Sequence, residues 1–264
     1  MNKYSHNYNV ILDNMDLNEY RLRPISAIMY LQDAFARLCA TKKVAAYDLF
    51  PYNMYWIVGE FNVEFEDKLP FWSEKIKTEI WISELTKLKI YTDFNLYYKD
   101  KVFAKGNGCW FILDQNSRRP VKTDFLADKF EICPELALGE HKKFSLLDTK
   151  EKASEIKHKN NLSDLDFNQH VNNKSYINIA EATAPNEFKK TYALKTLNIR
   201  FNRESFLDDV LLCSTYRTEN ENTFVHKIMK DDNSICDIQT SWVKKEEEQP
   251  EDILHYNLAI KNEI

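Results

Sequence analysis

The chain has 264 residues, 44% hydrophobic and 29% charged, with 36 Lys and Arg against 41 Asp and Glu and a formal net charge of −5. These values predict a globular protein with a sizeable core and exclude a surface built to bind nucleic acid. No apolar stretch of the sequence approaches the roughly 20 residues that a membrane span needs. The five cysteines lie far apart with no Cys-x-x-Cys pair, which indicates neither disulfides nor a zinc site and predicts a reducing, cytoplasmic location.

The first half begins with a helix and continues with strands. A helical period predicts the helix over residues 24–40, where Pro24 suits a first helical position. Gly106 and Gly108 form a Gly-x-Gly, but Phe111 occupies the position where a dinucleotide-binding loop needs its third glycine, so no nucleotide cofactor is predicted. Alternating polar and apolar residues predict four strands with one covered face, over residues 55–65, 76–85, 88–98 and 102–113.

The second half repeats this order. A strand is predicted near residues 151–158, followed by a helix over 173–188 that Asn172 or Asn173 is placed to cap. The tail after the acidic run at 244–252 is predicted to be peripheral. Four more strands are predicted, over residues 194–202, 209–218, 224–230 and 234–245.

Two pairs of similar segments relate the halves. Residues 61–65, FNVEF, match residues 197–201, LNIRF, at an offset of 136, and Trp110 matches Trp242 at an offset of 132. Two matches in the same order at nearly equal offsets predict a duplicated unit, a long helix followed by an antiparallel sheet, in an α+β fold. We predict an N-terminal domain over residues 1–125, a linker over 126–150 and a C-terminal domain over 151–264.

The segment DLDFNQHVNN, residues 164–173, concentrates polar side chains just before the second predicted helix. Asp164, Asp166 and Asn168 have the spacing of the first calcium ligands in an EF-hand loop. Such a loop also needs glycine at its sixth position and a carboxylate at its twelfth, where this chain has Gln169 and Ser175. A calcium site is therefore excluded, and no metal is predicted.

Two interpretations of this segment remain. Asp and Asn make turns and helix caps, and a histidine near a helix start is often only hydrogen-bonded. Alternatively, Asp166, Asn168 and His170 occupy every second position, and in an extended segment their side chains would project to one side. They would then converge before a helix N-terminus, which favours developing negative charge. A carboxylate, an amide and an imidazole in that place are typical of a hydrolytic site.

The segment DLDFNQHVNNKSYI resembles the active-site segment of the acyl-acyl-carrier-protein thioesterases, which carry an Asp-x-Asn-x-His-Val-Asn-Asn pattern. RFNRES, residues 200–205, is similar to the family's Arg-Arg-Glu-Cys strand, and YWIVGEFNVEFEDKLPFWSEKIKTEIW and WFILDQNSRRPVK are similar to its N-terminal half. The resemblance covers most of residues 5–245 and identifies the chain as a bacterial relative of the plant members. It implies hydrolysis of acyl-carrier-protein thioesters in fatty acid biosynthesis.

The resemblance also implies a fold and a site. The fold is a tandem of two hot-dog domains, each a long helix wrapped by an antiparallel sheet. The implied catalytic residues are Asp166, Asn168 and His170, with Glu204 from the second sheet. Lys68 aligns with Glu204 at the offset of 136, so the resemblance implies one working site, with the N-terminal domain as lid and acyl pocket. No cofactor is implied.

One position departs from the family pattern. Plant members have a cysteine directly after the glutamate, whereas this chain has Ser205. A thiol attacks because an appreciable fraction ionises near neutral pH, but a serine needs an activating base. A Cys-His mechanism is therefore excluded at this position.

The chemistry of a thioester suggests roles for the four residues. Asn168 and a backbone N–H at the helix start are predicted to polarise the carbonyl. Asp166 either attacks directly or, with Glu204, activates a water, and we favour water. His170 is predicted to orient Glu204 or the water and to carry the proton. Candidates for the acyl slot are Ile28, Met29, Leu31 and Phe35 on the first helix and the strand around residues 55–59, although most of these also suit a plain core.

The implied partner is acyl carrier protein with its phosphopantetheine-linked acyl chain, and a homodimer is left open. Because that carrier is acidic, a local basic patch is predicted. Two alternative functions remain: a hot-dog thioesterase acting on acyl-CoA, and a non-catalytic acyl-binding protein that would need none of the four catalytic residues. Candidates for the patch are Arg118, Arg119, Lys122, Lys142, Lys143, Lys189 and Lys190.

Overall fold

A computed structural model describes residues 3–15, 21–66, 68–140, 144–166, 168–184 and 186–245. The predicted peripheral tail, residues 246–264, lies outside the described residues. The described helices are α1 (Pro24–Thr41), α2 (Ala46–Leu49), α3 (Asn173–Thr183) and α4 (Asn186–Thr191). The strands are β1 (Tyr4–Asn9), β2 (Met54–Phe65), β3 (Lys75–Leu85), β4 (Ile90–Tyr98), β5 (Lys101–Asp114), β6 (Lys152–Lys159), β7 (Tyr192–Phe201), β8 (Val210–Arg217), β9 (Thr223–Lys230) and β10 (Asn233–Lys244).

The ten strands form one antiparallel sheet in the order β1-β3-β4-β5-β2-β7-β10-β9-β8-β6. Counted inwards from the opposite edge, the other five strands have the order β6-β8-β9-β10-β7. This is the order of the first five strands with each number raised by five. α1 contacts β1 and β3 in one half, and α3 contacts β6, β8, β9 and β10 in the other. The repeated arrangement confirms the predicted α+β fold of two helix-and-sheet units.

The register between β2 and β7 locates the centre of the duplication. Phe61 pairs with Ile199, Asn62 with Asn198, and Val63 with Leu197. Asn62 and Asn198 are also the residues that the offset of 136 makes equivalent. A residue that pairs with its own equivalent lies on a local twofold axis, so the two units meet back to back at this pair.

The two tryptophans of the sequence match also occupy equivalent places. Trp110 on β5 pairs with Val58 of β2, and Trp242 on β10 pairs with Leu194 of β7. Val58 and Leu194 are themselves related by the offset of 136. Trp110 stacks on Phe35 of α1 with ring centroids 3.9 Å apart, which ties the long helix to the sheet.

The predicted helix over residues 173–188 is wrong in its second part. α3 ends at Thr183, Ala184 has extended backbone angles, and α4 starts at Asn186. The residue between them in the sequence is Pro185. Proline disfavours the helical conformation for the residue before it, which accounts for the extended angles of Ala184.

Strand β1 and helix α2 were not predicted. β1 has the sequence YSHNYN, in which partly buried Tyr4, His6 and Tyr8 alternate with exposed polar residues, so it lacks the apolar alternation typical of a half-buried strand. Its position pairs it with β3, as the predicted β6 pairs with β8 in the other unit. Within the described residues, no helix is both long and apolar enough to cross a membrane.

The segment between β5 and β6 crosses the sheet without adding a strand among its described residues, 115–140 and 144–151. Its backbone bonds to the first unit, where Trp81 Nε1 donates to the Glu135 carbonyl at 2.8 Å and Cys133 N donates to Ile82 at 2.9 Å. Further along, the Phe144 carbonyl accepts from Arg200 of the second unit. The domain limits at residues 125 and 150 stay a prediction.

Candidate active site

Residues 164–166 and 168–172 form a tight turn, as the first of the two interpretations of this segment expects, and not the extended segment of the second. Asp166 N donates to the His170 carbonyl at 2.8 Å, and Leu165 bridges to Val171. Gln169 has a φ of 63°, in the left-handed region. The side chain of Asp166 closes the turn, because its Oδ1 accepts from the backbone N–H groups of Asn168 at 2.8 Å and His170 at 3.3 Å.

The turn leads directly into α3. Asn172 caps this helix, since its side-chain oxygen accepts from Lys174 N at 2.9 Å, as predicted for Asn172 or Asn173. Val171 is buried, and its N–H donates to the Ser205 carbonyl at 3.0 Å, which ties the turn to the segment after β7. This tie brings His170 beside Glu204.

His170 and Glu204 form the centre of a hydrogen-bonded cluster. His170 Nδ1 lies 3.1 Å from Glu204 Oε1. Tyr55 donates to the same oxygen at 3.3 Å, and Arg118 donates to Glu204 Oε2 at 2.7 Å. Because an ionised carboxylate only accepts, the neutral imidazole carries its proton on Nδ1 and leaves the Nε2 lone pair available.

Two side chains from the first unit hold Glu204. Arg118 also donates to Tyr55 Oη at 2.7 Å, so Arg118, Tyr55 and Glu204 form a closed triangle. Burial raises the pKa of the Tyr55 hydroxyl, which keeps it protonated as a donor. The site therefore requires both units, because the imidazole and carboxylate come from one and their supports from the other.

A tight turn after β5 positions Arg118. Its backbone N–H donates to the Asp114 carbonyl at 2.9 Å, and its φ of 56° is left-handed. Asp114 Oδ1 accepts from Ser117 N at 2.7 Å, and this backbone hydrogen bond lowers the pKa of the Asp114 carboxyl. The ionised carboxylate thus fixes the turn that aims the guanidinium.

His170, Glu204 and their partners Tyr55 and Arg118 form one wall of a cavity of about 800 Å³. This volume lies within the usual range for small-molecule sites. Asp166, Asn168, His170 and Glu204 all line the cavity, so the structure brings the four predicted residues together. The remaining wall is largely apolar and comes from α1, β2 and β5. It includes Phe35, Cys39, Trp56, Val58, Trp110 and Leu113.

The predicted acyl slot corresponds to only part of this wall. Phe35 and residues 55–58 line the cavity, whereas Ile28 and Leu31 are fully buried in the core.

Among the predicted basic-patch candidates, Arg118 belongs to the Glu204 cluster, and Lys142 and Lys143 lie outside the described residues. The sequence placed residues 55–59 in the acyl slot and Arg118 in the basic patch. It did not indicate that Tyr55 and Arg118 contact Glu204, because no local spacing predicts a contact with a residue 149 or 86 positions away.

Ser205 lies behind the site and not in it. Its side chain is fully buried, and its hydroxyl contacts Tyr176 Oη at 2.9 Å and accepts from Asn160 Nδ2 at 3.2 Å. Its own N–H donates to Tyr176 at 3.1 Å. Burial raises the pKa of Tyr176 to about 12. Ser205 therefore serves as part of the support that joins α3 to the segment carrying Glu204.

Comparison with protein families gives two matches in tandem. The model described as the acyl-ACP thioesterase N-terminal domain matches residues 1–128, and the one described as the C-terminal domain matches residues 147–244. Together they cover most of the chain.

Comparison with curated proteins gives plant relatives. The chain is 28% identical to the oleoyl-acyl carrier protein thioesterase of Coriandrum sativum over 67% of its own length and 51% of that protein. It is 26% identical to oleoyl-acyl carrier protein thioesterase 2 of Arabidopsis thaliana, over 87% of the chain and 70% of the relative. The chain thus spans about half of the first relative and 70% of the second.

Solved structures share the fold. An acyl-ACP thioesterase from Bacteroides thetaiotaomicron superposes with a TM-score of 0.76 at 20% identity, over 90% of this chain and 97% of that one. The 12:0-ACP thioesterase from Umbellularia californica superposes with a TM-score of 0.80 at 16% identity, over 92% of this chain and 98% of the other. At these identities the likeness shows the fold alone, which is the tandem hot-dog fold that the sequence resemblance implied.

Proposed function

Because the chain belongs to the acyl-ACP thioesterase family, we propose that it hydrolyses the thioester of acyl-acyl carrier protein, releases a free fatty acid and so ends chain elongation in fatty acid biosynthesis. The observation that carries this proposal is the His170–Glu204 pair at the wall of a largely apolar cavity. An acyl chain fills the cavity while its thioester carbonyl lies beside the imidazole.

His170 acts as the general base in this proposal. Glu204 holds Nδ1–H, so Nε2 accepts a proton from the attacking water and donates it to the departing thiolate when the carbon–sulfur bond breaks. Glu204 stabilises the imidazolium that forms and is itself held by Arg118 and Tyr55. Both Glu204 oxygens already have partners, which favours its role as an orienting carboxylate over that of the group that activates water directly.

Asn168 and Asp166 complete the proposed machinery. The Asn168 amide lies at the cavity wall before the N-terminus of α3, where its side-chain donor and the helix dipole stabilise the oxygen that gains charge. Asp166 Oδ1 is engaged by two backbone N–H groups and therefore shapes the turn. The leaving thiolate needs little protonation, so a single base is sufficient for the reaction.

The proposal is tested by hydrolysis of a panel of acyl-carrier-protein thioesters of different chain length, with the matching acyl-CoA thioesters measured in parallel. We expect turnover with carrier-linked substrates and a higher kcat/KM for them than for acyl-CoA. Equal or higher kcat/KM for acyl-CoA would contradict the proposed carrier. Tight acyl binding without hydrolysis of either series would contradict the enzymatic proposal.

Single turnover in ¹⁸O water with excess enzyme distinguishes water attack from attack by Asp166. We expect one ¹⁸O in the released fatty acid and none in the peptide containing Asp166, because both backbone contacts fall on this carboxylate and hold it in its own turn. An anhydride formed by Asp166 can place solvent oxygen in the aspartate, because water can attack its aspartyl carbonyl as well as its acyl carbonyl. Mass spectrometry of the Asp166 peptide would reveal that label and reverse the assignment.

Replacing Ser205 by alanine is expected to preserve most of the activity. The substitution removes a buried hydroxyl but no nucleophile, so the thermal midpoint falls while kcat stays near the unaltered value. Loss of its hydrogen bonds to Tyr176 and Asn160 costs about 1–3 kcal/mol of unfolding free energy. A folded variant with as little activity as a His170 variant would show that Ser205 takes part in the reaction.

The cellular setting is part of the same proposal. All five cysteines are buried and lie far apart in the sequence with no Cys-x-x-Cys pair, which supports a reducing compartment and hence a cytoplasmic location. Acyl carrier protein is the proposed macromolecular partner. A homodimer is likewise a proposal, and light scattering on the purified protein tests it.

A further inference from the structure

A second cavity, of about 540 Å³, lies on the other side of the local twofold axis. It opens between the beginning of α1, the middle of α3 and strands β7 and β10. Its volume is within the range of small-molecule sites. Apolar side chains supply much of its wall, including Ile25, Ile177, Ala180, Leu194, Ile238 and Trp242.

The two cavities are copies of one feature of the duplicated unit. Val58 and Trp110 line the catalytic cavity, and their equivalents Leu194 and Trp242 line the second one. Ile57 and Ala193 are related in the same way by the offset of 136. The second cavity is therefore the counterpart of the proposed acyl cavity, formed by the equivalent positions of the other unit.

Cations replace the acid–base pair in this counterpart. Lys68 stands at the position of Glu204 by the same offset. Arg21 stands at the position of His170, because each lies three residues before its long helix and directly before a residue that makes an isolated bridge, Leu22 or Val171. Both cations line the second cavity. With cations at both equivalent positions, this cavity lacks the adjacent imidazole and carboxylate that we propose for hydrolysis, and it suits an anion.

The charge of the lining supports the same conclusion. Six cationic side chains line the cavity against the two carboxylates of Glu66 and Glu181, in a chain whose net charge is −5. Lys195 is 37% exposed and Lys244 is exposed, whereas Leu194 and Ile238 are buried. Lys195 and Lys244 thus place positive charge at the mouth, with apolar surface inside. The six cations are Arg21, Lys68, Lys189, Lys195, Lys244 and Lys245.

We propose that this second cavity is a non-catalytic binding site for a fatty acid anion. The alkyl chain packs between α3 and β7, against Trp242, and the carboxylate binds at the mouth with Lys195 and Lys244. Lys195 Nζ already donates to the Phe65 carbonyl at 2.7 Å, which holds it beside the opening. His226 at the inner wall is fully buried, and burial lowers its pKa to about 4, so it stays neutral beside the alkyl chain. Binding here requires no hydrolysis and goes beyond the proposed function.

Carbon NMR with carboxyl-¹³C dodecanoate on the full-length protein tests the proposal. We expect two bound carboxylate signals, one for each cavity. Ala193→Trp fills the second cavity and should remove one signal, while Ile57→Trp, the equivalent change in the catalytic cavity, should remove the other. A single bound signal that Ile57→Trp removes and Ala193→Trp keeps would overturn the proposal.

A milder variant keeps the test decisive if Ala193→Trp does not fold. Lys195→Gln keeps a polar side chain, one atom shorter, and removes one charge-assisted contact, so we expect the affinity of one site to fall about tenfold while that of the other is unchanged. Unchanged affinity at both sites would contradict the proposal. The thioester assay is independent of this result, since an inactive protein could still show both signals and an active one could show only one.

Discussion

His170→Ala is expected to lower kcat/KM for acyl-carrier-protein thioesters by about 10²–10⁴, the usual contribution of a general base. The imidazole is the group between Glu204 and the cavity, and its side chain is only 18% exposed, so bulk water does not easily replace it. Steady-state hydrolysis of the purified variant measures the loss, and its thermal midpoint should stay close to that of the unaltered protein because the turn is held by backbone bonds.

His158→Ala is the matched control. His158 is 27% exposed and also pairs with an acidic residue, Asp164 at 2.9 Å, at the start of the same segment, but it does not line the catalytic cavity. We expect its activity to stay within a few-fold of normal. Asn168→Ala should lose about 10²–10³ in rate as an oxyanion donor. Near-normal rates for both the His170 and Asn168 variants would remove the basis of the site assignment.

Gly106→Ala is expected to destabilise the fold by about 4 kcal/mol, a loss typical of a severe steric clash in the core. A Cβ at Gly106 would lie 2.1 Å from the Asn62 carbonyl oxygen and 2.4 Å from Phe94 Cζ. The carbonyl belongs to β2 beside the local twofold axis and is held by the strand ladder, so it cannot withdraw without breaking sheet pairing. Denaturant unfolding of the variant measures the cost.

Gly108→Ala provides the comparison on the same strand and face. A Cβ there would lie 2.9 Å from Phe61 Cε1, a side-chain atom that can shift, and we expect a smaller loss of about 1–2 kcal/mol. Equal losses for the two variants would show that the backbone contact at Gly106 is not the cause of its intolerance.

Much of the fold could be predicted from the sequence because its signals are local and periodic. The structure confirms α1 to within one residue of its predicted end, and strands β2 to β10 lie close to their predicted ranges. The duplication was predicted from two short sequence matches. The pairing of Asn62 with Asn198 explains these matches, because the two residues are equivalent and lie on the local twofold axis. The proposed catalytic residues came from the resemblance of one segment to a family pattern.

The features that were not predicted depend on long-range contacts, which no local sequence pattern indicates. β1 forms a strand because it pairs with β3, and its polar sequence does not indicate this pairing. The turn at Gln169 needs a left-handed residue that alternation cannot predict. Arg118 and Tyr55 meet Glu204 only because β2 and β7 pair at the centre of the sheet.

The two outer strands limit how further chains can associate with this sheet. β6 presents exposed Glu155, Lys157 and Lys159, and β1 presents exposed Ser5 and Asn7, so each free edge is short and polar or charged. Such edges disfavour the addition of a strand from another molecule, which protects a ten-stranded sheet from edge-to-edge aggregation. Judged from the residues that the structure describes, these edges favour association of a second copy through loops or the broad faces of the sheet over the addition of a strand.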